Sequence, residues 1–183
     1  MKDAPVGTPA EPIVEPASPR ALDVSDAWIS AAHGRPLFAF AHQDDEVVCA
    51  GLIARVLGAE GRGTFLWWTN GDGLAPGVGA DPVTYARRRI DEAAESVRRL
   101  GGHQAVKIDL ESSEIENYRL FVEVAAGGAR ARGALDYFRA EADRVERAVR
   151  DADPDRVFVL AWQGGHPEHD LTEIVGVARA GPQ

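Results

Sequence analysis

Two short clusters of histidines and carboxylates carry the chemistry open to this chain. The first, His42-Gln43-Asp44-Asp45-Glu46, follows the apolar run Pro36-Leu37-Phe38-Ala39-Phe40-Ala41. The second, His166-Pro167-Glu168-His169-Asp170, follows the apolar run Val157-Phe158-Val159-Leu160-Ala161-Trp162. Three of the five histidines fall in these clusters. Histidine packed among carboxylates is costly unless something cationic binds there, so the pairing reads as a metal site. One imidazole from each cluster plus a carboxylate would make a three-ligand zinc site with one open position. A water held there has its pKa lowered toward about 7. A second carboxylate could then act as general base, and the spare histidine could polarise or protonate the group under attack. Each part alone has a plainer reading. Asp44, Asp45 and Glu46 would complement a helix dipole, and His166 and His169 could be ordinary histidines of a Gly-rich turn. Jointly, at two equivalent places in the chain, the clusters favour the metal.

The surrounding pattern predicts how they are positioned. Leu37–Ala41 reads as a short buried strand. Val47, Val48, Leu52, Ile53, Val56 and Leu57 lie on one side of a helix that ends near Gly58 or Gly61. Thr64–Thr69 is a second strand, closed by the turn residues Asn70-Gly71-Asp72-Gly73. Asp81-Pro82 starts a helix whose apolar positions Ile90, Val97 and Leu100 run to Gly101-Gly102. Ala105–Leu110 is a third strand, and residues 111–128 read as a mixture of loop and helix. Leu135, Phe138, Ala142, Val145 and Val149 mark an amphipathic helix, stopped by Asp153-Pro154 before a fourth strand over Arg156–Trp162. Strands alternating with helices predict an α/β fold, a Rossmann-like parallel sheet with helices on both faces. Both clusters then fall at carboxyl ends of strands, where such sheets bind ligands. Trp67 and Trp68 read as core, and Cys49 as a buried, inert thiol.

Composition narrows the function classes. A chain of 183 residues suffices for one domain with a substantial core. Residues 1–22, with Pro5, Pro9, Pro12, Pro16 and Pro19, read as a disordered tail ahead of a domain over residues 23–183. The net charge of −9 argues against nucleic acid as a partner. A single cysteine excludes an intramolecular disulfide framework. No apolar stretch approaches the roughly 20 residues that span a bilayer, and no apolar region follows Lys2 as in a signal peptide. The expectation is a soluble, cytoplasmic protein.

At this level of detail the motifs resemble a known family. Ala41-His42-Gln43-Asp44-Asp45-Glu46 resembles the A-H-P-D-D-E signature of the PIG-L/LmbE-type deacetylases. Gly164-Gly165-His166-Pro167-Glu168-His169 resembles their second signature, G-H-P-D-H. Between them, Arg89-x-x-Glu92 with Leu100-Gly101 resembles the family's helix of form R-x-x-E ending in L-G. The resemblance implies one zinc ion per chain, with His42, Asp45 and His169 at the ligand positions. It implies Asp44 as general base, His166 as the residue that steadies the oxyanion or protonates the amine, and Arg89 in substrate binding. Glu46 is expected to support the ligands from behind or cap the helix. Gln43 replaces the family's proline, which predicts a less constrained loop.

The implied activity is removal of an acyl group, usually acetyl, from the nitrogen of an amino sugar or related metabolite. Members of the family usually continue beyond the point corresponding to Gln183, so the domain is expected to lack the usual C-terminal part, and a bare sheet edge would favour a homo-oligomer. Two rival readings stand beside the deacetylase. One is a truncated, non-catalytic metal-binding or interaction module, and the other is a metal-dependent phosphoesterase, which would hold two ions.

Overall fold

The computed structural model describes residues 34–58, 61–161 and 163–179. The expected tail over residues 1–22 and Trp162, expected to end the fourth strand, lie outside these. Four strands, β1 (Pro36–Phe40), β2 (Thr64–Thr69), β3 (Val106–Ser112) and β4 (Arg156–Val159), form one parallel sheet in the order β3-β2-β1-β4. Among the described residues six α-helices connect and cover it: α1 (Asp45–Val48), α2 (Ala50–Leu57), α3 (Pro82–Arg99), α4 (Glu114–Ala126), α5 (Ala129–Ala152) and α6 (Pro167–Arg179). The expected α/β architecture with helices on both faces is the one observed.

The period-two side-chain alternation of a strand divides the core into two layers. Leu37, Ala39, Leu66 and Trp68 face α4, α5 and α6, where Leu120, Phe138, Val145, Val149 and Val175 pack against them. Phe38, Phe40, Phe65 and Trp67 face the opposite way, against Ile53 and Leu57 of α2 and Ala93 and Val97 of α3. Phe38 stacks on Phe65 at 4.9 Å and on Phe158 at 4.8 Å, so one aromatic layer crosses β2, β1 and β4. All five residues of β1 are buried, which is why that strand reads as a continuous apolar run. Trp67 and Trp68 are core residues, as expected; Trp68 Nε1 donates to Glu141 Oε2 at 3.0 Å across to α5.

Local signals explain most boundaries. Asp81 Oδ1 accepts from the Thr84 backbone N–H at 2.9 Å with Pro82 opening α3, a cap worth about 1 kcal/mol. Gly101, at φ 99°, follows its end. Four expectations need correction. The first helix breaks at Cys49 (φ −113°, ψ 23°), which swings Val47 and Val48 away from the core face and leaves them 62% and 79% exposed. On α5 the residue turned inward is Ala134, while Leu135 is 42% exposed. β4 ends at Val159, earlier than the apolar run suggests. Cys49 is half-buried rather than buried, its thiol pushed up to about 11 by burial and then by the charges of Asp45 and Glu46. Among the described residues no helix is long and apolar enough to cross a membrane.

The chain runs outward from β1 to β2 and β3, then returns through α4 and α5 to place β4 on the other side of β1. The direction of winding thus reverses between β1 and β4, and the crevice beyond their carboxyl ends is the ligand position of this architecture.

Candidate active site

The loop leaving β1 is built around Asp45. Its Oδ2 accepts from the backbone N–H groups of Ala41 at 3.0 Å and His42 at 2.9 Å. Burial raises the pKa of this carboxyl, but the hydrogen bonds from His169 and the His42 backbone outweigh it and hold the group below its ordinary value. The Ala41 carbonyl is gripped from β2 by the backbone N–H and hydroxyl of Thr69. Gln43, expected to loosen the loop, ties it down instead. Its side-chain amide donates to the Thr69 carbonyl at 2.5 Å, and its own carbonyl accepts from Arg89 at 2.5 Å. Hydrogen bonds thereby supply the restraint that a proline would supply through φ.

The loop leaving β4 is turned by Gly164 and Gly165, both at positive φ. It is clasped by Asp170, whose Oδ1 accepts from the backbone N–H groups of Gln163 and Gly164 at 3.0 and 3.2 Å. Pro167 opens α6, where its lack of an N–H costs nothing. His166 sits just before the helix, and Glu168 and His169 lie in its first turn, aimed back at β1.

The two loops converge. His42 Nδ1 is 2.9 Å from His169 Nε2. The Asp45 carboxylate lies 3.2 Å from His169 Nε2 and 3.9 Å from His42 Nδ1. His42 Nε2 is 2.8 Å from Glu168 Oε2, and because an ionised carboxylate only accepts, the proton sits on Nε2 and leaves the Nδ1 lone pair facing His169 and Asp45. Burial lowers the His42 pKa, but Glu168, Glu114 and Asp45 together raise it above 6.5. His166 stands beside these groups, its ring 4.8 Å from that of His42 and 4.2 Å from that of His169. Burial, then the neighbouring His42 and His169, holds its pKa below the ordinary histidine value.

This donor set fits a metal ion. The ligating atoms of His42, His166 and His169 lie within 4.8 Å of one another, and the Asp45 carboxylate offers oxygen in the same place. Two imidazole nitrogens and a carboxylate facing inward, with one imidazole oriented from behind by a carboxylate, is the arrangement that holds zinc in hydrolytic sites. His166 or Asp45 could supply the third ligand. Asp45 has its carboxylate fixed by two backbone N–H groups and aimed at His169, whereas His166 lines the open cleft.

That cleft, about 360 Å³, is lined by His42, His166, Asp44, Glu114, Tyr118 and Arg89 among others. The Asp44 side chain is 65% exposed and pairs with Arg89 at 2.9 Å. Arg89 also pairs with Glu92, so its guanidinium is engaged by the protein on several sides. Glu46 is buried and lies by Ser96 and Trp67. Asn70 and Asp72 form a turn, with Asp72 N–H donating to Asn70 Oδ1 at 3.0 Å. Three residues of the site, Glu114, Asn117 and Tyr118, come from the segment that the sequence leaves ambiguous. Glu114 accepts from the Thr69 hydroxyl and the Gly73 N–H, and burial pushes its pKa up. Tyr118 OH is 3.5 Å from His166 Nε2. The signal that could have found them is Ser113-x-x-Glu116, the start of a capping box; Ser113 Oγ does accept from the Glu116 N–H, at 3.3 Å.

Gly71 shapes the cleft wall at φ 74°, and a Cβ there would lie 2.6 Å from Gln43 Oε1 and 2.9 Å from Arg89 Cβ. Gly71→Ala is expected to cost about 1–3 kcal/mol, read as an earlier urea midpoint. It should also displace the Arg89–Gln43 contact and lower any turnover the site supports. An unchanged midpoint would show that the wall yields.

Residues 37–179 match the family model described as PIG-L: GlcNAc-PI de-N-acetylase. Among solved structures the chain is similar to the N,N'-diacetylchitobiose deacetylase from Pyrococcus horikoshii, at 20% identity and a TM-score of 0.58, over 80% of this chain and 49% of that one. It is also similar to the A40926 pseudoaglycone deacetylase, at 20% identity and a TM-score of 0.56, over 80% of this chain and 58% of that one. At such identity the likeness is one of fold, and this chain spans only 49% and 58% of the length of these structures. No curated protein sequence matches it.

Proposed function

Since the chain belongs to the PIG-L family, we propose that it is a zinc-dependent N-deacetylase that removes an acetyl group from the nitrogen of a small amino-sugar conjugate. The observation that carries this reading is the convergence of His42, Asp45 and His169 at the carboxyl ends of β1 and β4, beside an open cleft lined by the Asp44 carboxylate and the His166 imidazole. The family match and the fold of the two deacetylases support it.

In this reading His42, Asp45 and His169 hold one ion. When bound, the ion supplies an activated water and polarises the acyl oxygen. Asp44 takes the proton from the attacking water as general base, its carboxylate kept toward the cleft by Arg89. His166 donates its N–H to the oxygen on which negative charge develops. The proton taken by Asp44 then passes to the departing amine. Arg89 contributes to substrate binding from the cleft wall while it holds Asp44 and the Gln43 carbonyl. It acts in the cytoplasm on a small-molecule substrate, with neither nucleic acid nor membrane as a partner.

The test joins metal content to amine release. The purified 183-residue chain, loaded with zinc and dialysed, is expected to retain one ion per chain and to release amine from N-acetylglucosamine or its glycosides. One zinc without turnover on any N-acetyl sugar would favour the non-catalytic module, two ions would favour the phosphoesterase, and a folded chain that takes up no zinc would overturn the proposal.

A further inference from the structure

We propose that Asn117 is a positioning residue for the metal ligand His42, acting through Glu168; the inference rests on the metal reading of the site. Glu168 is fully buried, and its two oxygens are divided between two partners. Oε2 accepts from His42 Nε2 at 2.8 Å, and Oε1 accepts from Asn117 Nδ2 at 2.8 Å. Asn117 is itself fully buried. Its Oδ1 accepts from the Tyr137 hydroxyl at 2.9 Å and from Ser112 Oγ at 3.3 Å. Two hydroxyls on that oxygen determine which way the amide faces, because the reverse orientation would set a carbonyl oxygen against the carboxylate. A chain of hydrogen bonds therefore runs from Tyr137 on α5 through Asn117 on α4 and Glu168 on α6 to His42 at the end of β1.

Each link acts on the next. The Tyr137 hydroxyl orients the Asn117 amide, and the amide fixes the plane of the Glu168 carboxylate. That carboxylate in turn fixes both the ring orientation and the tautomer of His42, leaving Nδ1 free to ligate. Removing the amide leaves Glu168 Oε1 as a buried lone pair without a donor, which costs free energy unless the carboxylate rotates. Rotation would release the His42 ring. The Tyr137 and Asn117 links lie outside both histidine clusters, in helices that no metal motif marks.

The discriminating measurement is zinc affinity, by competition against a chromophoric chelator, for the full chain and its variants. Partners that orient a ligand typically contribute 10–100-fold to metal affinity. Asn117→Leu, close in size and without the donor, is expected to weaken zinc binding roughly tenfold or more. Combined with Glu168→Gln it should lose less than the product of the two single losses, since both act on one carboxylate–imidazole contact. Tyr137→Phe keeps the ring packed against Phe138 and removes only the hydroxyl, so it serves if Asn117→Leu does not fold; a loss of roughly threefold or more is expected. A merely structural Asn117 would lower the melting temperature and leave the zinc affinity of the folded chain unchanged, which would overturn the inference. Fully multiplicative losses in the double variant would overturn it as well. Wild-type protein that binds no zinc would instead overturn the metal reading on which it rests.

Discussion

Asp44→Asn is expected to keep its zinc and to lose roughly 10²–10⁴-fold in kcat for amide hydrolysis, the span associated with a positioned general base. The expectation follows from where the two neighbouring aspartates point. Asp45 is buried, gripped by the Ala41 and His42 N–H groups, and aimed at His169. Asp44, one residue earlier, is 65% exposed and lines the cleft. Asparagine keeps the size and the acceptor oxygen that faces Arg89 but cannot take a proton from water. Losing the Asp44–Arg89 charge pair at such exposure should cost less than about 1 kcal/mol, so the loss would lie in kcat and not in folding. Zinc content and turnover measured on one preparation check this. Wild-type turnover per zinc in the variant would move the base elsewhere, and Glu114 is the other carboxylate lining the cleft. Glu114 is poorly suited to the role, because the Thr69 hydroxyl and the Gly73 N–H occupy its oxygens.

Both halves of this site were legible in the chain because each is local. A histidine–carboxylate run directly after a buried strand announces itself by residue type, and the apolar runs of β1 and β2 leave little freedom about where their strands lie. What joins the halves was less legible, since it depends on contacts distant in sequence. Asn117 and Glu168 are 51 residues apart, and Glu168 and His42 are 126 apart. No spacing rule anticipates either bond. The start of α4 is an intermediate case. Its N-cap can be read from Ser113, but Asp72, from the loop after β2, also binds Ser113 Oγ and the Ile115 N–H. Part of what starts this helix is therefore tertiary. Gln43 shows the limit in the other direction. Judged by its own dihedral freedom it loosens the loop, yet the folded chain presents it with the Thr69 carbonyl and the opposite results. Val47 and Val48 fail for a similar reason: their spacing suits a continuous helix, and the break at Cys49 removes the continuity on which the spacing argument depends.

His42→Ala and His166→Ala should separate, although the two rings are neighbours. His166 lines the cleft, and its nearest polar contact there, Tyr118 OH, is 3.5 Å away. His166→Ala is therefore expected to retain zinc and fold normally while losing roughly 10²–10³-fold in kcat, the effect of removing one donor to a developing oxyanion. His42 is 9% exposed and is one of the two side chains among the described residues that hydrogen-bond the fully buried carboxylate of Glu168. Its removal leaves a buried charge short of a partner, and one-sided breakage of such pairs costs about 3–5 kcal/mol. That is a large part of the 5–15 kcal/mol by which domains are typically stable. His42→Ala should thus lose zinc and unfold at lower denaturant even when both proteins are metal-free. The sign of the pH dependence follows from the raised His42 pKa. A group whose folded pKa lies above its unfolded value adds stability that is complete below the unfolded value, here 6.5, and lost as pH rises through the higher folded value. The gap between metal-free wild type and metal-free His42→Ala should accordingly narrow as pH rises across that window. It should not close, because the neutral ring still donates to Glu168. Urea unfolding of the metal-free proteins on either side of the window measures both effects, and equal midpoints for the two chains at every pH would show that Glu168 does not depend on His42.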